Sequence, residues 1–518
     1  MKKLVSLLLM LALLMTAVAQ AEVTYPVDTQ TKLVLWRVFD SDIVNAGYTS
    51  SNDTPAVKNW IERSGIDFEI KEFTDNNALL TAMQADDLPD IIIFDYTTYP
   101  GGVMGMVDDG ICVELTNDML QQNAPDYWAY MEENPVYWDY AKQLDGKMYY
   151  WMDVSFEANS YYRFWQQLTY REDMLEQYGL KVPTTNEEFY DLLVFARDNI
   201  PGITVPFIGD AAHMDTFIEY GYCTSEYGLV AGHEYQQDGV YHIGSYEESY
   251  REALRFMNKL YSEKLISVDF ASMDQTVAQS SFTNGESLVL FTNNSRLNTL
   301  KKAVEEDNGS MVAGGSLHGA DQEKSYFAFG DPYVSSRWSA FVTTEAKDPA
   351  LCLQLLNYLY SEEGRITACF GTEGVTFNYV DGVPTFTEYI TNNPNGYALD
   401  AMTRTEGLVN WPCIHSNVLQ AQRHPEQSQI DSYALQRNST DLDEYLIVYT
   451  GVLPEYSDEY TSLWTDISTY ISECRVKFIS GQMNLEEDFD NYRANLKSMG
   501  IERVIEIKQM TLDALNGK

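Results

Sequence analysis

The chain has 518 residues, of which 45% are hydrophobic and 21% are charged. This composition excludes a disordered or collagen-like chain, and the length predicts two to four domains. Lys and Arg total 34 against 77 Asp and Glu, which gives a formal net charge of -43. Because a field of this sign repels phosphates, nucleic acid and anionic membrane surfaces are poor partners, and we expect neither.

The first 21 residues predict export. Lys2 and Lys3 precede an apolar run from Leu4 to Met15. The small residues that follow end in Ala19-Gln20-Ala21, which fits the small-x-small pattern that signal peptidase recognises, so we expect cleavage after Ala21. We therefore expect an extracellular or cell-surface location. No cysteine lies near the cut, so we expect no lipid-modified N-terminus.

The region up to residue 95 alternates strands and helices. The run Ile91-Ile92-Ile93-Phe94 has no polar interruption, which is typical of a strand buried on both faces of a parallel sheet. Thr54 is predicted to cap a helix that has Pro55 in its first turn. Strand, helix, strand, helix, strand indicates the α/β class. The predicted elements are strands at 32–36, 66–73 and 91–94 and helices at 54–64 and 76–84.

The remaining chain continues the mixed pattern. Gly179 is predicted to end one helix, and Thr185 with Glu188 forms a capping box that begins the next. The glycines at 314–319 predict a flexible joint. Further helices are predicted at 246–264, 348–362 and from 460 onward, with a short strand at 285–291.

Motifs for catalysis or metal binding are not found in the sequence. The six His residues form no spaced metal pair, the six Cys form no C-x-x-C, and His318 stands where the G-x-S-x-G elbow needs glycine. Carboxylates are so numerous that a pair for glycoside cleavage could be chosen almost anywhere in the chain. Such a pair is therefore no evidence for a glycosidase. We therefore predict no catalytic residue, no metal, no cofactor and no functional disulfide.

Aromatic residues are abundant, with 37 Tyr, 22 Phe and 9 Trp. An aromatic ring is a flat apolar plate that can contact the C–H face of a sugar while carboxylates and amides bind its hydroxyls. Most of these rings are expected in the core. For Trp151, Trp165 and Trp411, which lie among polar residues and turns, core and binding roles are equally open.

Several segments in chain order resemble the extracellular solute-binding proteins of ABC importers, family 1, in particular the group associated with oligosaccharide uptake in Gram-positive bacteria. The stretch Arg171 to Glu187 is similar to the most specific motif of that family. The other similar segments are 87–91, 145–149, 360–364 with 371–375, 381–384 and 478–481.

This resemblance implies a two-lobed α/β, periplasmic-binding-protein-like (Venus flytrap) fold with hinge crossovers and a ligand cleft between the lobes. Lobe 1 would comprise residues 22–152 and 317–367, and lobe 2 residues 153–316 and 368–518. Many relatives carry a calcium loop where this chain has residues 197–203. The alternating oxygen ligands are missing there, so we predict no calcium at that place.

The resemblance also implies that ligand binds at the carboxyl ends of strands and in the crossover loops. Each candidate also has a structural alternative: the tryptophans beside strands could be core, and Asp95 could cap a helix. The candidate ligand-binding residues are Trp36, Asp95, Tyr96, Trp151, Glu157, Trp165, Asn294, Arg296, Trp338, Glu373 and Trp411.

The resemblance implies a monomeric, non-enzymatic binding protein that captures a carbohydrate and delivers it to the permease subunits of an ABC transporter. Two alternatives stay open at this point. One is an exported carbohydrate-active enzyme, and the other is a binding protein for a peptide or another polar solute. Turnover of a bound sugar would distinguish the enzyme from the binding protein.

Overall fold

The computed structural model describes residues 22–516, apart from residues 86, 327, 329, 425, 449 and 450. The predicted signal peptide, residues 1–21, lies outside the described residues. Two compact units make up the chain. Unit 1 contains the chain up to Ala158 together with Tyr333–Leu419, and unit 2 contains Asn159–Pro332 together with the chain from Gln420.

Strands and helices occur in both units. The strands are β1 (Leu33–Val38), β2 (Phe68–Phe73), β3 (Ile91–Phe94), β4 (Trp151–Val154), β5 (Gln166–Arg171), β6 (Phe207–Ile208), β7 (Glu234–Gln237), β8 (Val240–Ile243), β9 (Val289–Asn293), β10 (Met311–Gly314), β11 (Val334–Val342), β12 (Phe377–Val380) and β13 (Val383–Phe386). The helices up to residue 306 are α1 (Pro55–Ser64), α2 (Asn76–Met83), α3 (Gly102–Asp108), α4 (Asn117–Asn123), α5 (Pro125–Glu133), α6 (Val136–Ala141), α7 (Glu172–Tyr178), α8 (Asn186–Asn199), α9 (Ala211–Glu219), α10 (Tyr250–Ser262), α11 (Gln275–Thr283) and α12 (Leu297–Glu306). The later helices are α13 (Pro349–Tyr358), α14 (Glu362–Phe370), α15 (Glu388–Thr391), α16 (Leu399–Thr405), α17 (Asn417–Arg423), α18 (Gln427–Asn438), α19 (Leu442–Tyr445), α20 (Ser457–Ile479), α21 (Phe489–Met499) and α22 (Ile501–Leu515).

Unit 1 is built on a five-stranded sheet with the order β2-β1-β3-β11-β4. Strand β1 is parallel to β2 and β3, whereas β11 is antiparallel to both β3 and β4. All four residues of β3 are buried, as the apolar run predicts for a strand in the middle of a sheet. The α/β class is confirmed.

Unit 2 has its own sheet, with the order β10-β5-β9-β6. Strand β5 is antiparallel to both of its neighbours, and β6 is parallel to β9. Helices α8, α10 and α20 contribute to one hydrophobic core, in which Phe189, Met257 and Phe478 are fully buried. Unit 2 therefore has a core of its own.

The predicted helix boundaries follow from side-chain caps. Thr54 accepts a hydrogen bond from the backbone N–H of Val57 at the start of α1. At the start of α8, the Thr185 side chain accepts a hydrogen bond from the backbone N–H of Glu188, and the Glu188 side chain accepts one from the backbone N–H of Thr185. Gly179 ends α7 in the left-handed conformation, with a φ of 66°. These three predictions are confirmed, because each rests on contacts between residues close in sequence.

The lobe limits expected from the resemblance differ from the limits of the two units. Residues 368–419 group with unit 1, since Ile414 forms a β-bridge with Val154 at the end of β4. The glycines at 314–319, where the sequence predicts a flexible joint, lie within unit 2. A Cβ on Gly314 would lie 2.5 Å from the Tyr170 ring, so this glycine allows close packing inside unit 2.

No helix among the described residues is both long enough and apolar enough to cross a membrane.

Candidate functional site

Strand β1 places two functional side chains near the carboxyl ends of the parallel strands in unit 1. Trp36 and Arg37 are consecutive, so they project from opposite faces of the sheet. Open α/β sheets bind their ligands outside the carboxyl ends of such strands.

On one face, the Arg37 guanidinium lies between two tryptophans. Its Cζ is 4.1 Å from the Trp411 ring centroid and 5.1 Å from that of Trp338. The side chain is fully buried, and its Nη2 donates a hydrogen bond of 3.3 Å to the carbonyl of Asn410. Burial lowers the pKa of Arg37 to about 10, which leaves the group charged at neutral pH. The result is a buried cation held by two indoles.

Trp338 is the half-buried member of this pair of indoles, whereas Trp411 is buried. Trp338 lies in an irregular stretch of β11, where the register with β4 shifts between Ser335 and Ala340. Such bulges change the direction in which a side chain points and often lie next to functional sites. Part of the Trp338 ring is thus exposed to solvent, while the ring also contacts the buried cation of Arg37.

Polar groups adjoin the two indoles. Asp40, just after β1, accepts a 2.5 Å hydrogen bond from the Asn410 side-chain amide. Arg404 contacts Asp40 at 3.4 Å and Asp42 at 3.2 Å, and its Nε lies 2.9 Å from Asp400. Asp42 and Asp400 remain about half exposed. We call the following residues the edge cluster: Arg37, Asp40, Trp338, Arg404, Asn410 and Trp411.

The opposite face carries Trp36, which is buried. Lys71 of β2 lies opposite it in the sheet register, with its Nζ 4.5 Å from the Trp36 ring centroid. Phe73 packs against the same ring with centroids 5.2 Å apart. Trp36 therefore stays apart from the edge cluster and stabilises the sheet face.

Two predicted residues follow β3. Asp95 caps the 3-10 turn Tyr96–Thr98, because its Oδ1 accepts from the backbone N–H and the hydroxyl of Thr97. Tyr96 is half-buried with its ring 5.2 Å from that of Tyr150, and desolvation raises the pKa of its phenol to about 12. Asp95 thus has the structural role that the sequence left open.

Trp151 lies in the core of unit 1 and is fully buried. Its ring stacks on Tyr127 of α5 at 3.9 Å between centroids and meets Tyr360 edge-on at 5.2 Å. Of the two roles that the sequence left open for Trp151, this packing favours the core role, since Tyr127 of α5 covers the ring.

Glu157 and Glu373 of unit 1 also lie apart from the indole pair. Glu157 accepts a 2.7 Å hydrogen bond from the backbone N–H of Asn417, the first residue of α17. Glu373 is exposed and forms a β-bridge with Phe377 of the β12–β13 hairpin. Neither contact points to a ligand.

The predicted residues of unit 2 group around the end of β9. Asn294 is buried, its amide donates to the carbonyl of Phe164, and its Oδ1 accepts from Ser432 of α18. Its backbone N–H donates to the carbonyl of Trp165 at 2.7 Å. Trp165 is half-buried and Arg296 is exposed. Asn294 is thus a structural link, while Trp165 and Arg296 stay candidates.

An aromatic group in unit 2 accompanies Trp165. Tyr162 contacts Tyr161 at 4.4 Å and Tyr433 at 5.1 Å between ring centroids. The Tyr433 hydroxyl lies 3.4 Å from Nε2 of His424. The Tyr161-Tyr162 pair was visible in the sequence, but its partners come from a segment more than 250 residues away.

Sequence reasoning missed four members of the edge cluster: Arg37, Asp40, Arg404 and Asn410. One local signal was present, because Arg37 is the one charged residue in the otherwise apolar strand β1. A cation in such a place requires partners. The identity of those partners depends on residues more than 300 positions away.

Comparisons with known proteins identify the family. The family described as bacterial extracellular solute-binding protein matches residues 62–366, more than half of the chain. "Lipoprotein LipO" of Bacillus subtilis is 24% identical over 385 residues, which cover 70% of this chain and 73% of that protein.

Solved structures share the fold. The alginate-binding protein AlgQ2 without calcium ion superposes with a TM-score of 0.70 at 18% identity, covering 95% of this chain and 100% of that one. An HMO-binding, ABC-transporter-associated solute-binding protein from Bifidobacterium longum infantis gives 0.71 at 18% identity, covering 94% and 99%. FusA of S. pneumoniae in complex with kestose gives 0.68 at 16%, covering 94% and 100%. With the family match, these findings establish that the chain belongs to the bacterial extracellular solute-binding proteins.

Proposed function

We propose that this protein captures an oligosaccharide outside the cell and delivers it to the permease subunits of an ABC importer. The observation that carries the proposal is the half-buried Trp338 ring held over the buried cation of Arg37. The polar groups of Arg404 and Asp42 lie in the same unit beside this pair of indoles.

A sugar ring has the chemistry that this arrangement fits. Its C–H face is apolar and can pack on the exposed side of the Trp338 indole. Its hydroxyls both donate and accept, so they suit the half-exposed carboxylates of Asp42 and Asp400 and the Arg404 guanidinium. Arg37 contacts the Trp338 ring at 5.1 Å and so helps to hold it in place.

The relatives support the carbohydrate class. Their descriptions name alginate binding, HMO binding and a complex with kestose. The ligand class of this chain is inferred from them and from the indole pair together. The alternative of a peptide or another polar solute has no comparable feature, since the edge cluster offers no unpaired cation or anion row for a peptide backbone.

We further propose that the protein is not an enzyme. Glycoside cleavage needs a protonated acid and a second carboxylate on either side of the bond. Asp40 of the edge cluster and Asp42, two residues further on, both form ion pairs with Arg404, so the same cation engages both carboxylates.

A ligand panel tests the proposal. Neutral and acidic oligosaccharides, short peptides and linear sugar alcohols are screened by thermal shift, and each positive compound is titrated by calorimetry. We expect stoichiometric binding of an oligosaccharide and a higher melting temperature, because the ligand binds the native state. Linear alcohols are the matched control, since they carry hydroxyls without a ring face. Binding of peptides alone, or products after incubation with sugar, would contradict the proposal.

The Trp338→Ala variant tests the location of the site. Loss of an indole contact with a sugar costs about 1.5–3 kcal/mol, so affinity should fall roughly ten- to a hundredfold. Trp128→Ala is the matched control, because Trp128 is a half-buried indole of the same unit on α5, outside the edge cluster. Equal affinity of both variants would move the site away from Trp338.

The partner and the assembly follow from the same proposal. We expect one chain per particle in light scattering, with and without the sugar. Deletion of this chain from its host should reduce uptake of the identified sugar, and the unmodified chain should restore it. Restoration by the Trp338→Ala variant at limiting sugar would contradict a role of the indole pair in delivery.

A further inference from the structure

Three buried side chains with metal-binding atoms meet in unit 1, apart from the edge cluster. They are Asp153 of β4 and Cys413 and His415 of the segment before α17. One donor atom from each lies within 4.8 Å of the other two. His415 Nε2 is 3.5 Å from Asp153 Oδ1.

The backbone places these three side chains on one side. Val154 and Ile414 form a parallel β-bridge, in which the N–H of Val154 donates to Cys413 at 2.9 Å and the N–H of His415 donates to Val154 at 2.8 Å. Side chains alternate along extended chains. Because Val154 and Ile414 share one face, their neighbours Asp153, Cys413 and His415 all project to the other.

One carboxylate oxygen of Asp153 accepts no hydrogen bond from the surrounding described residues. The side chain is fully buried, and Ser155 donates to its Oδ2 at 3.0 Å. Its Oδ1 is buried without a hydrogen-bond donor. Among the described residues, the charged contact found for it is His415. A carboxylate buried in this way is stabilised by a positive partner or by protonation.

We propose that Asp153, Cys413 and His415 bind one zinc ion. A thiolate, an imidazole and a carboxylate are ligands that Zn²⁺ accepts, whereas Ca²⁺ and Mg²⁺ prefer oxygen alone. Oxygen and nitrogen ligands at about 2.0–2.2 Å in a tetrahedral site are about 3.3–3.6 Å apart. The distance of 3.5 Å between His415 Nε2 and Asp153 Oδ1 already fits.

Binding requires one rearrangement. The Cys413 thiol contacts the carbonyl of Leu408 at 3.2 Å. On binding, the thiol releases its proton to solvent, and the resulting thiolate turns from that carbonyl to the ion. Three protein ligands leave a fourth position for water. The ion would tie β4 to the 413–415 segment and so stabilise unit 1.

No motif in the sequence pointed to this site, and the prediction of no metal followed from motif spacing. Cys413 and His415 are two residues apart, which places them on one face of an extended chain rather than in a zinc-finger pattern. Asp153 lies 260 positions earlier. Only the Val154–Ile414 bridge brings the three together.

The test uses the full chain, stripped with a chelator and kept reduced. Zn²⁺ alone is titrated by calorimetry, and Co²⁺ is added to a second sample to look for thiolate-to-cobalt charge-transfer absorption. We expect one Zn²⁺ per chain and a cobalt spectrum with thiolate character. At a free zinc concentration about a hundred times the dissociation constant, the melting temperature of unit 1 should rise by about 5–10 °C.

Variants locate the ion. Cys413→Ser should abolish the thiolate absorption, and His415→Gln should abolish stoichiometric binding. Cys223→Ser is the matched control, because Cys223 is a buried thiol of unit 2 whose contact is Met257. Failure of the unmodified, folded chain to bind Zn²⁺ would overturn the proposal, even if a variant does not fold. So would binding that persists in Cys413→Ser or is displaced by Ca²⁺, which would indicate surface carboxylates.

Discussion

Trp151 and Trp338 lie on neighbouring strands of one sheet, yet their surroundings are opposite. Trp151 of β4 pairs with Ala340 of β11, two positions from Trp338. Trp151 is fully buried against Tyr127, whereas Trp338 is half-buried over Arg37. The difference teaches that a helix packed on regular pairing makes a tryptophan part of the core, while a register shift leaves its neighbour open to a ligand.

The largest effect should come from Trp151→Ala. Removing a buried tryptophan costs about 3–5 kcal/mol, since the stack on Tyr127 and the contact with Tyr360 are both lost. In urea titrations we expect the free energy of unfolding of unit 1 to fall by this amount and the denaturation midpoint to shift to a lower urea concentration. Sugar affinity per folded molecule should stay unchanged.

The matched change is Trp151→Phe, which keeps a ring against Tyr127 and should recover much of the lost stability. An affinity loss with normal stability in Trp151→Ala would reverse the comparison. Trp151 would then be a ligand contact, one of the two roles that the sequence left open for it.

Asn294→Ala tests whether Asn294, at the carboxyl end of β9 in unit 2, stabilises the fold as Trp151 does or contacts ligand as we propose for Trp338. The change removes two buried hydrogen bonds, to the carbonyl of Phe164 and from Ser432, and should cost about 2–3 kcal/mol of unfolding free energy. Exposed Asn495→Ala in the same unit is the control, with an expected change below about 0.5 kcal/mol. A normal melting curve together with weaker sugar binding would make Asn294 a ligand contact.

Local features of the fold could be predicted from the sequence, as the caps at Thr54 and Thr185 demonstrate. Both depend on residues within four positions, whose side chains meet the backbone in any helix that begins there. The buried β3 run was equally clear. The α/β class therefore followed from pattern alone.

The site was less predictable, because its contacts are distant in sequence. Arg37 meets Asn410, and Asp153 meets His415, across hundreds of residues. The register shift in β11, next to the half-buried Trp338, also cannot be recognised from the amino-acid composition. The strand-end rule selected Trp338, which lies with Trp411 around Arg37, and also Trp36, which projects from the other face of the sheet.

Tyr389→Phe tests the electrostatics of the segment that leads to Trp411. Burial raises the pKa of Glu406, and the Tyr389 hydroxyl, which donates to its Oε1 at 2.7 Å, opposes that rise. Without this donor the pKa should rise further. An acid with a raised folded pKa destabilises the protein as pH increases above its unfolded pKa, about 4.3.

The variant should therefore lose about 1–2 kcal/mol at pH 7.5 and less at pH 4, where Glu406 is mostly protonated in the unfolded as well as the folded state. Urea titrations at the two pH values measure the difference. Tyr379→Phe is the control, since Tyr379 is an exposed tyrosine of the same unit. Equal losses at both pH values would exclude Glu406 as the cause.

The smallest effect on stability should come from Trp338→Ala, the counterpart of Trp151→Ala. Part of the Trp338 ring is already in water, and Arg37 keeps its contacts with Trp411 and the carbonyl of Asn410 when the ring is removed. The loss is then one cation–π contact and partial burial, about 1 kcal/mol or less. Urea titrations of the sugar-free protein measure it, beside Trp128→Ala. A loss as large as that of Trp151→Ala would mean that the ring stabilises Arg37 in the fold, and the contrast between the two tryptophans would then be one of degree.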